Sequence, residues 1–159
     1  MYKRVLIPLD GSELAESVMR FVVDIAGPLD MAIVLLRVVE PMPTVAVGAT
    51  IPTFIADDTA SRRGDAEDYL APIAIGLRAR GIETTSMVRV GRAEQEILAA
   101  ARDANADLIA MSTHGRTGVG RLLFGSVAEQ VLRHADVPLF MMRETKRRTT
   151  VPPMTEAKR

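Results

Sequence analysis

Apolar residues fall along this chain in two alternating rhythms. Short unbroken runs make up the first: Val5-Leu6-Ile7-Pro8-Leu9, Met31 to Val39 interrupted only by Arg37, Leu108 to Met111, and Val137 to Met142. Ile82 to Val90 is a fifth run with polar interruptions, as expected nearer a sheet edge. Continuous apolar runs of this length are what parallel strands covered on both faces look like. Between them the apolar positions recur every three or four residues, the spacing of one helix face. Ala15, Val18, Met19, Val22 and Ala26 form such a stripe. So do Ala66, Leu70, Ile73 and Leu77 within 57–80, Ala93, Ile97, Ala100 and Ala101 within 92–104, and Val127, Ala128, Val131 and Leu132 after Gly125-Ser126.

Punctuation agrees with this reading. Glu13 and Glu16 stand in the first turn of the first helix, where the helix dipole favours them, and Gly27-Pro28 ends it. Gly81 suits a helix C-cap, and Pro72 removes an internal hydrogen bond and is expected to kink its helix. Glu40 to Ile55, with prolines at 41, 43 and 52, reads as a long loop. It is unusually apolar (Met42, Val45, Val47, Ile51, Phe54), which suits packing over the sheet end, a subunit contact, or a lid over a ligand. Strict alternation of five strands with four helices makes this an α/β chain, one doubly wound open sheet of parallel strands with helices on both faces. Right-handed crossovers give the strand order 3-2-1-4-5.

Composition narrows the chemistry. The 159 residues fit one domain, with 48% hydrophobic residues, 25% charged residues and zero formal net charge. A neutral balance removes any general electrostatic case for nucleic acid. The charge is uneven, however: from Arg143 onward six basic residues face two acidic ones. Residues 145–159 lack apolar periodicity and read as a disordered basic tail behind a domain of 1–144. Without cysteine there is no disulfide, thiol nucleophile or thiolate metal site. The opening apolar stretch is too short for a signal peptide, and no segment reaches the roughly 20 apolar residues of a membrane span, so a cytoplasmic location is expected.

The segment Ser112 to Ser126 is the richest in chemistry. It follows the run Leu108 to Met111, carries Gly115, Gly118, Gly120 and Gly125, and leads into a helix at Ser126. Glycines let backbone N–H groups approach an anion, and the first N–H groups of a helix have no partner within it. In the order 3-2-1-4-5 the strand order reverses between the first and fourth strands, which is where open sheets bind ligands. The Asp10-Gly11-Ser12 turn and the glycine loop therefore converge on one crevice. Other phosphate motifs fit worse: Gly120-x4-Gly125-Ser126 has no lysine before the serine, and no Gly-x-Gly-x-x-Gly or Ser-Gly-Gly-x-Asp-Ser is present. His, Asp and Glu show no metal-ligand spacing, and no second titratable group is pinned beside His114, so neither a metal site nor a catalytic residue is expected.

At these residues the chain resembles the universal stress protein family. The ATP-binding branch of that family carries Gly-x2-Gly-x9-Gly-Ser/Thr after its fourth strand. The matching residues here are Ser112, Gly115, Gly125 and Ser126, with a serine where the family has its first glycine. Such a side chain either crowds the ribose or adds a hydrogen bond to it. The opening Ile7-Pro8-Leu9-Asp10-Gly11-Ser12 and the closing His134-Ala135-Asp136-Val137-Pro138-Leu139 are similar to the family as well. The resemblance spans residues 2 to 143 and implies an adenine nucleotide alpha hydrolase-like fold.

It further implies a stress-response protein, regulatory or protective, that binds ATP, with Mg2+ carried on the phosphates. In such a site Asp10 accepts hydrogen bonds from the ribose hydroxyls or the adenine amino group. Val38 contacts adenine through its backbone, and Pro8 and Met111 wall the base. Gly115, Gly125, Ser126 and the Val127 backbone hold the phosphates, Arg116 is a candidate clamp, and His114 orients the loop. Asp10 and Ser126 also suit capping of the helices that follow them, Pro8, Val38 and Met111 suit ordinary strand positions, and His134 suits the C-terminal end of the last helix. The family implies a homodimer, with the edge strand Val137 to Met142 pairing antiparallel across a two-fold axis and burying Phe140 or Leu139. A stress protein acting only through protein contacts and a slow ATPase remain as alternatives.

Overall fold

Five parallel strands form one sheet in the order β3-β2-β1-β4-β5. The structure, a computed structural model, describes residues 2–41, 52–113 and 125–143, with side chains from residue 58 onward in the second stretch. The elements are β1 (Arg4–Pro8), α1 (Glu13–Ala26), β2 (Ala32–Val39), α2 (Pro52–Ala79), β3 (Thr84–Val90), α3 (Ala93–Asp103), β4 (Leu108–Thr113), α4 (Ser126–His134) and β5 (Leu139–Arg143). β1 lies between β2, in register Arg4↔Ala32, and β4, in register Val5↔Leu108. This is the order expected from right-handed crossovers, and it makes β3 and β5 the edges.

Alternation along the strands builds two cores. Val5 and Ile7 of β1 and Ile33 and Leu35 of β2 face α1 and α2, meeting Val18, Val22, Leu70 and Leu77. Leu6, Val34, Leu36 and Ile109 face the other way, onto Ile97 and Ala100 of α3 and Val131 of α4. Most of these side chains are fully buried, each contributing about 1.5–3 kcal/mol of hydrophobic stabilisation.

Several boundaries differ from the sequence reading. The loop expected over 40–55 ends early, because α2 starts at Pro52. Proline needs no hydrogen-bond donor in the first helical turn and its fixed φ suits that position, so it opens the helix. The helix continues unbroken past Pro72. β3 starts at Thr84, two residues later than expected, although Ile82 is still buried beneath it. β4 runs on to Thr113, and β5 spans Leu139–Arg143 instead of Val137 to Met142. Leu132, expected on the inward stripe of α4, is 46% exposed, since the helix packs through Ala128 and Val131. The expected tail beyond 144 lies outside the described residues.

The start of β1 is tied to the start of β4. Asn105 takes φ 50 after α3 and stops the helix, and Asp107 follows it. The Asp107 carboxylate accepts from the Lys3 N–H at 2.7 Å and the Arg4 N–H at 3.1 Å. Arg4 Nη1 donates to the Ala104 carbonyl at 2.6 Å. This clasp sets the β1–β4 register and so fixes how the carboxyl ends of the two strands align at the opposite end of the sheet. No helix among the described residues is long and apolar enough to cross a membrane.

Candidate functional site

α1 lies on one face of the sheet and α4 on the other, so the helices that follow β1 and β4 start on opposite sides of a crevice at the carboxyl ends of the strands. A cavity of about 420 Å³ occupies it, within the range of small-molecule sites. Its floor comes from the strand ends: Pro8 of β1, Leu36 and Val38 of β2, Met111 and Ser112 of β4. One wall is the start of α4, Gly125 to Ala128, and another is Ala93 and Ile97 of α3. Asp10, Arg37, Glu40 and Arg62 bring charge to the remaining rim.

Asp10 is set by a short relay. Its Oδ1 accepts from the Ser12 N–H at 2.9 Å and the Ser12 hydroxyl at 2.6 Å. Ser12 Oγ in turn accepts from the Ala15 N–H at 3.2 Å, capping α1. Gly11 between them has φ +82, in the left-handed region where a side chain is strained. Asp10 thus fixes the turn and also faces the cavity.

The start of α4 has a different character. Gly125 is its N-cap with φ −65 and ψ 157, and among the described residues no side chain caps the helix. The leading N–H groups of such a helix have no partner within it, and the positive end of the helix dipole stands behind them at the cavity wall. The far end of α4 carries Arg133 and His134, which complement the dipole there. His134 Nδ1 lies 2.9 Å from the Gln130 carbonyl, at the helix end expected for it.

Of the residues named from the sequence, Pro8, Asp10, Val38, Met111, Ser112, Gly125, Ser126 and Val127 line this one cavity. His114, Gly115 and Arg116 lie outside the described residues. Arg37, Glu40, Arg62 and Ala93 were not singled out as site residues. Arg37 carried a signal, a lone charge at the carboxyl end of an apolar run. Glu40 carried none: its Oε1 accepts from the Ala93 N–H at 3.2 Å, and its carbonyl accepts from Arg62 Nη1 at 2.9 Å, contacts that depend on three separate elements. Among the described residues no group of three His, Cys, Asp or Glu could hold a metal ion.

Comparison with known proteins adds the following. The profile of the universal stress protein family matches residues 1–143. Universal stress protein MJ0531 of Methanocaldococcus jannaschii is 29% identical over 147 residues, covering 92% of this chain and 85% of its own. The solved structure of hypothetical protein MJ0577, from the same organism, superposes with a TM-score of 0.79 at 26% identity, covering 92% of this chain and 99% of its own. A universal stress protein from Archaeoglobus fulgidus, solved in complex with dAMP, shares the fold at 20% identity, with a TM-score of 0.56 and coverage of 88% and 97%.

Proposed function

This chain belongs to the universal stress protein family, and on that premise we propose that it is an ATP-binding member, a regulatory or protective module of the stress response acting in the cytoplasm. One observation carries the reading. The N-terminus of α4, with a glycine at its N-cap, opens onto a cavity that is floored by apolar strand residues and also lined by Asp10. A phosphate chain fits the first of these features, an adenine ring the second and a ribose or amino group the third. A relative of the same fold is solved with dAMP, which supports an adenine nucleotide as the ligand class.

In this reading Val38 presents its backbone to the base, and Pro8 and Met111 pack against its faces. Ser112, Gly115, Gly125, Ser126 and Val127 receive the sugar and phosphates, with His114 and Arg116 beside them. Mg2+ enters on the triphosphate and keeps several waters. The working domain is 1–144, with 145–159 a basic tail.

Calorimetric titration of ATP with Mg2+ into nucleotide-free protein tests this. Saturable binding is expected, weakened about tenfold or more by Gly125→Val, because a branched side chain would stand where phosphate approaches the helix. Absence of binding in the folded wild type would overturn the reading and leave protein contacts as the mode of action.

We also propose a homodimer through β5. Among the described residues that strand is an edge of the sheet, with Phe140 and Met142 on the α1 side and Leu139 and Met141 on the α4 side. Phe140 already stacks on Phe21 of α1, ring centroids 4.8 Å apart, and Phe21 stays 45% exposed. Pairing of two β5 strands would continue both apolar faces. Sedimentation at micromolar concentration is expected to give about twice the 17.3 kDa chain mass. A monomeric mass would remove the proposal.

A further inference from the structure

We propose that Arg37 is a positioning residue for the nucleotide, holding the Asp10 turn in its binding shape from beneath. The inference rests on the nucleotide reading above and extends it to a residue that no part of that reading uses.

Arg37 interrupts the apolar strand β2 and is only partly exposed. A guanidinium there costs desolvation that leucine or valine would avoid, so the fold alone does not account for it. Two neutral groups contact it. Nη1 donates to the Leu9 carbonyl at 3.2 Å, and the guanidinium carbon lies 5.5 Å from the centre of the Tyr69 ring. A planar cation over an aromatic face is a favourable arrangement that lysine reproduces poorly.

The contact to Leu9 matters because of where Leu9 stands. Its N–H still donates to the Leu36 carbonyl at 2.8 Å, making it the last residue of the β1 side tied to β2. Its carbonyl points to Arg37, and Asp10 comes next. On the other side of Asp10, a Cβ placed on Gly11 would meet Arg37 Nη1 at 3.3 Å. One guanidinium therefore touches or closely underlies both neighbours of Asp10. It also lines the 420 Å³ cavity and an adjoining one of about 260 Å³ between Gly11 and α2.

Tyr69 completes the support. Its hydroxyl donates to Glu16 Oε1 at 2.9 Å, joining α2 to α1. Burial, then the bond to Glu16, pushes its pKa up to about 12, so it remains a neutral donor throughout the working pH range. The chain of contacts runs from Glu16 through Tyr69 and Arg37 to Leu9, and ends at Asp10.

A double-mutant cycle tests this, with ATP affinity read for wild type, Arg37→Met, Asp10→Asn and the double variant. Arg37→Met is expected to weaken ATP about tenfold, the scale of one lost hydrogen bond in a site. The double variant is expected to lose no more than Asp10→Asn alone, since Arg37 acts through Asp10. Arg37→Lys is expected to recover part of the loss, as a donor to Leu9 without the planar fork. Unchanged affinity in Arg37→Met, or losses that add in the double variant, would overturn the proposal. Amide exchange gives a readout that needs no nucleotide. Leu9 and Ser12 amides are expected to exchange about tenfold faster in Arg37→Met with Val34 unchanged, as for a local opening. If wild type binds no ATP, the nucleotide reading falls on its own, and unaltered exchange at Leu9 and Ser12 would then overturn the role of Arg37.

Discussion

Ser126→Asp is expected to lower ATP affinity about a hundredfold, some 2.7 kcal/mol, while leaving the melting temperature the same or higher. The opposite signs follow from one location. Ser126 is the first residue of α4, behind an N-cap glycine that offers no side-chain oxygen. A carboxylate there meets the positive end of the helix dipole and stabilises the helix by about 0.3–1 kcal/mol. The same carboxylate would occupy the place proposed for phosphate and repel it. Ser126→Ala is the control: it removes the hydroxyl without adding charge and is expected to weaken ATP by less than about tenfold. Calorimetry paired with a thermal melt reads both effects. An affinity for ATP in Ser126→Asp within twofold of wild type would place the phosphates elsewhere.

The second large effect is on stability. Leu70→Ala is expected to cost about 2–5 kcal/mol, near the upper end of that range, from a total that for a domain of this kind is about 5–15 kcal/mol. Leu70 is 1% exposed on a narrow inward stripe whose other buried members are Ala66, Ala74 and Leu77. Two of those four are already alanines, so the two leucines supply most of the fully buried bulk of the longest helix, with Tyr69 and Ile73 packed partly buried beside them. Truncating Leu70 leaves a void with little nearby bulk to close it. Ile75, on the same helix but 63% exposed, supplies the contrast: Ile75→Ala is expected to change stability by less than about 0.5 kcal/mol. Urea unfolding midpoints of the two variants decide the matter. A cost below about 1 kcal/mol for Leu70→Ala would mean that this stripe is not what anchors α2.

The strand order was readable from the chain because it depends on pattern and handedness alone. Runs such as Val5 to Leu9 and the i, i+3, i+4 stripe of α1 name their elements without reference to anything distant. The crevice followed from that order, and eight of the residues named for it do line one cavity. What stayed hidden depends on contacts between elements. Pro52 reads as a loop residue beside Pro41 and Pro43, and only the helix after it reveals it as a first-turn residue. Arg37 reads as a blemish in β2 until Tyr69, thirty-two positions on, is seen beneath it. Glu40 follows a strand end and gives no local sign that it will reach the start of α3.

The two edges of the sheet are chemically unlike. β5 offers an apolar strand on either face, whereas β3 carries Thr84, Thr85 and Ser86, with Thr85 and Ser86 exposed. Arg89 lies farther along β3 and is paired to Glu96 and Asp103 of α3. Polar and charged side chains of this kind discourage a foreign strand from docking. A sheet that can add strands at only one margin would stop growing after a single union with a copy of itself, the dimer proposed above. Were both margins like β5, each pair would expose two fresh sites, and the protein would polymerise into ribbons as it accumulated. In that dimer the blunt margin at β3 would be what keeps the chain from forming fibres at high concentration.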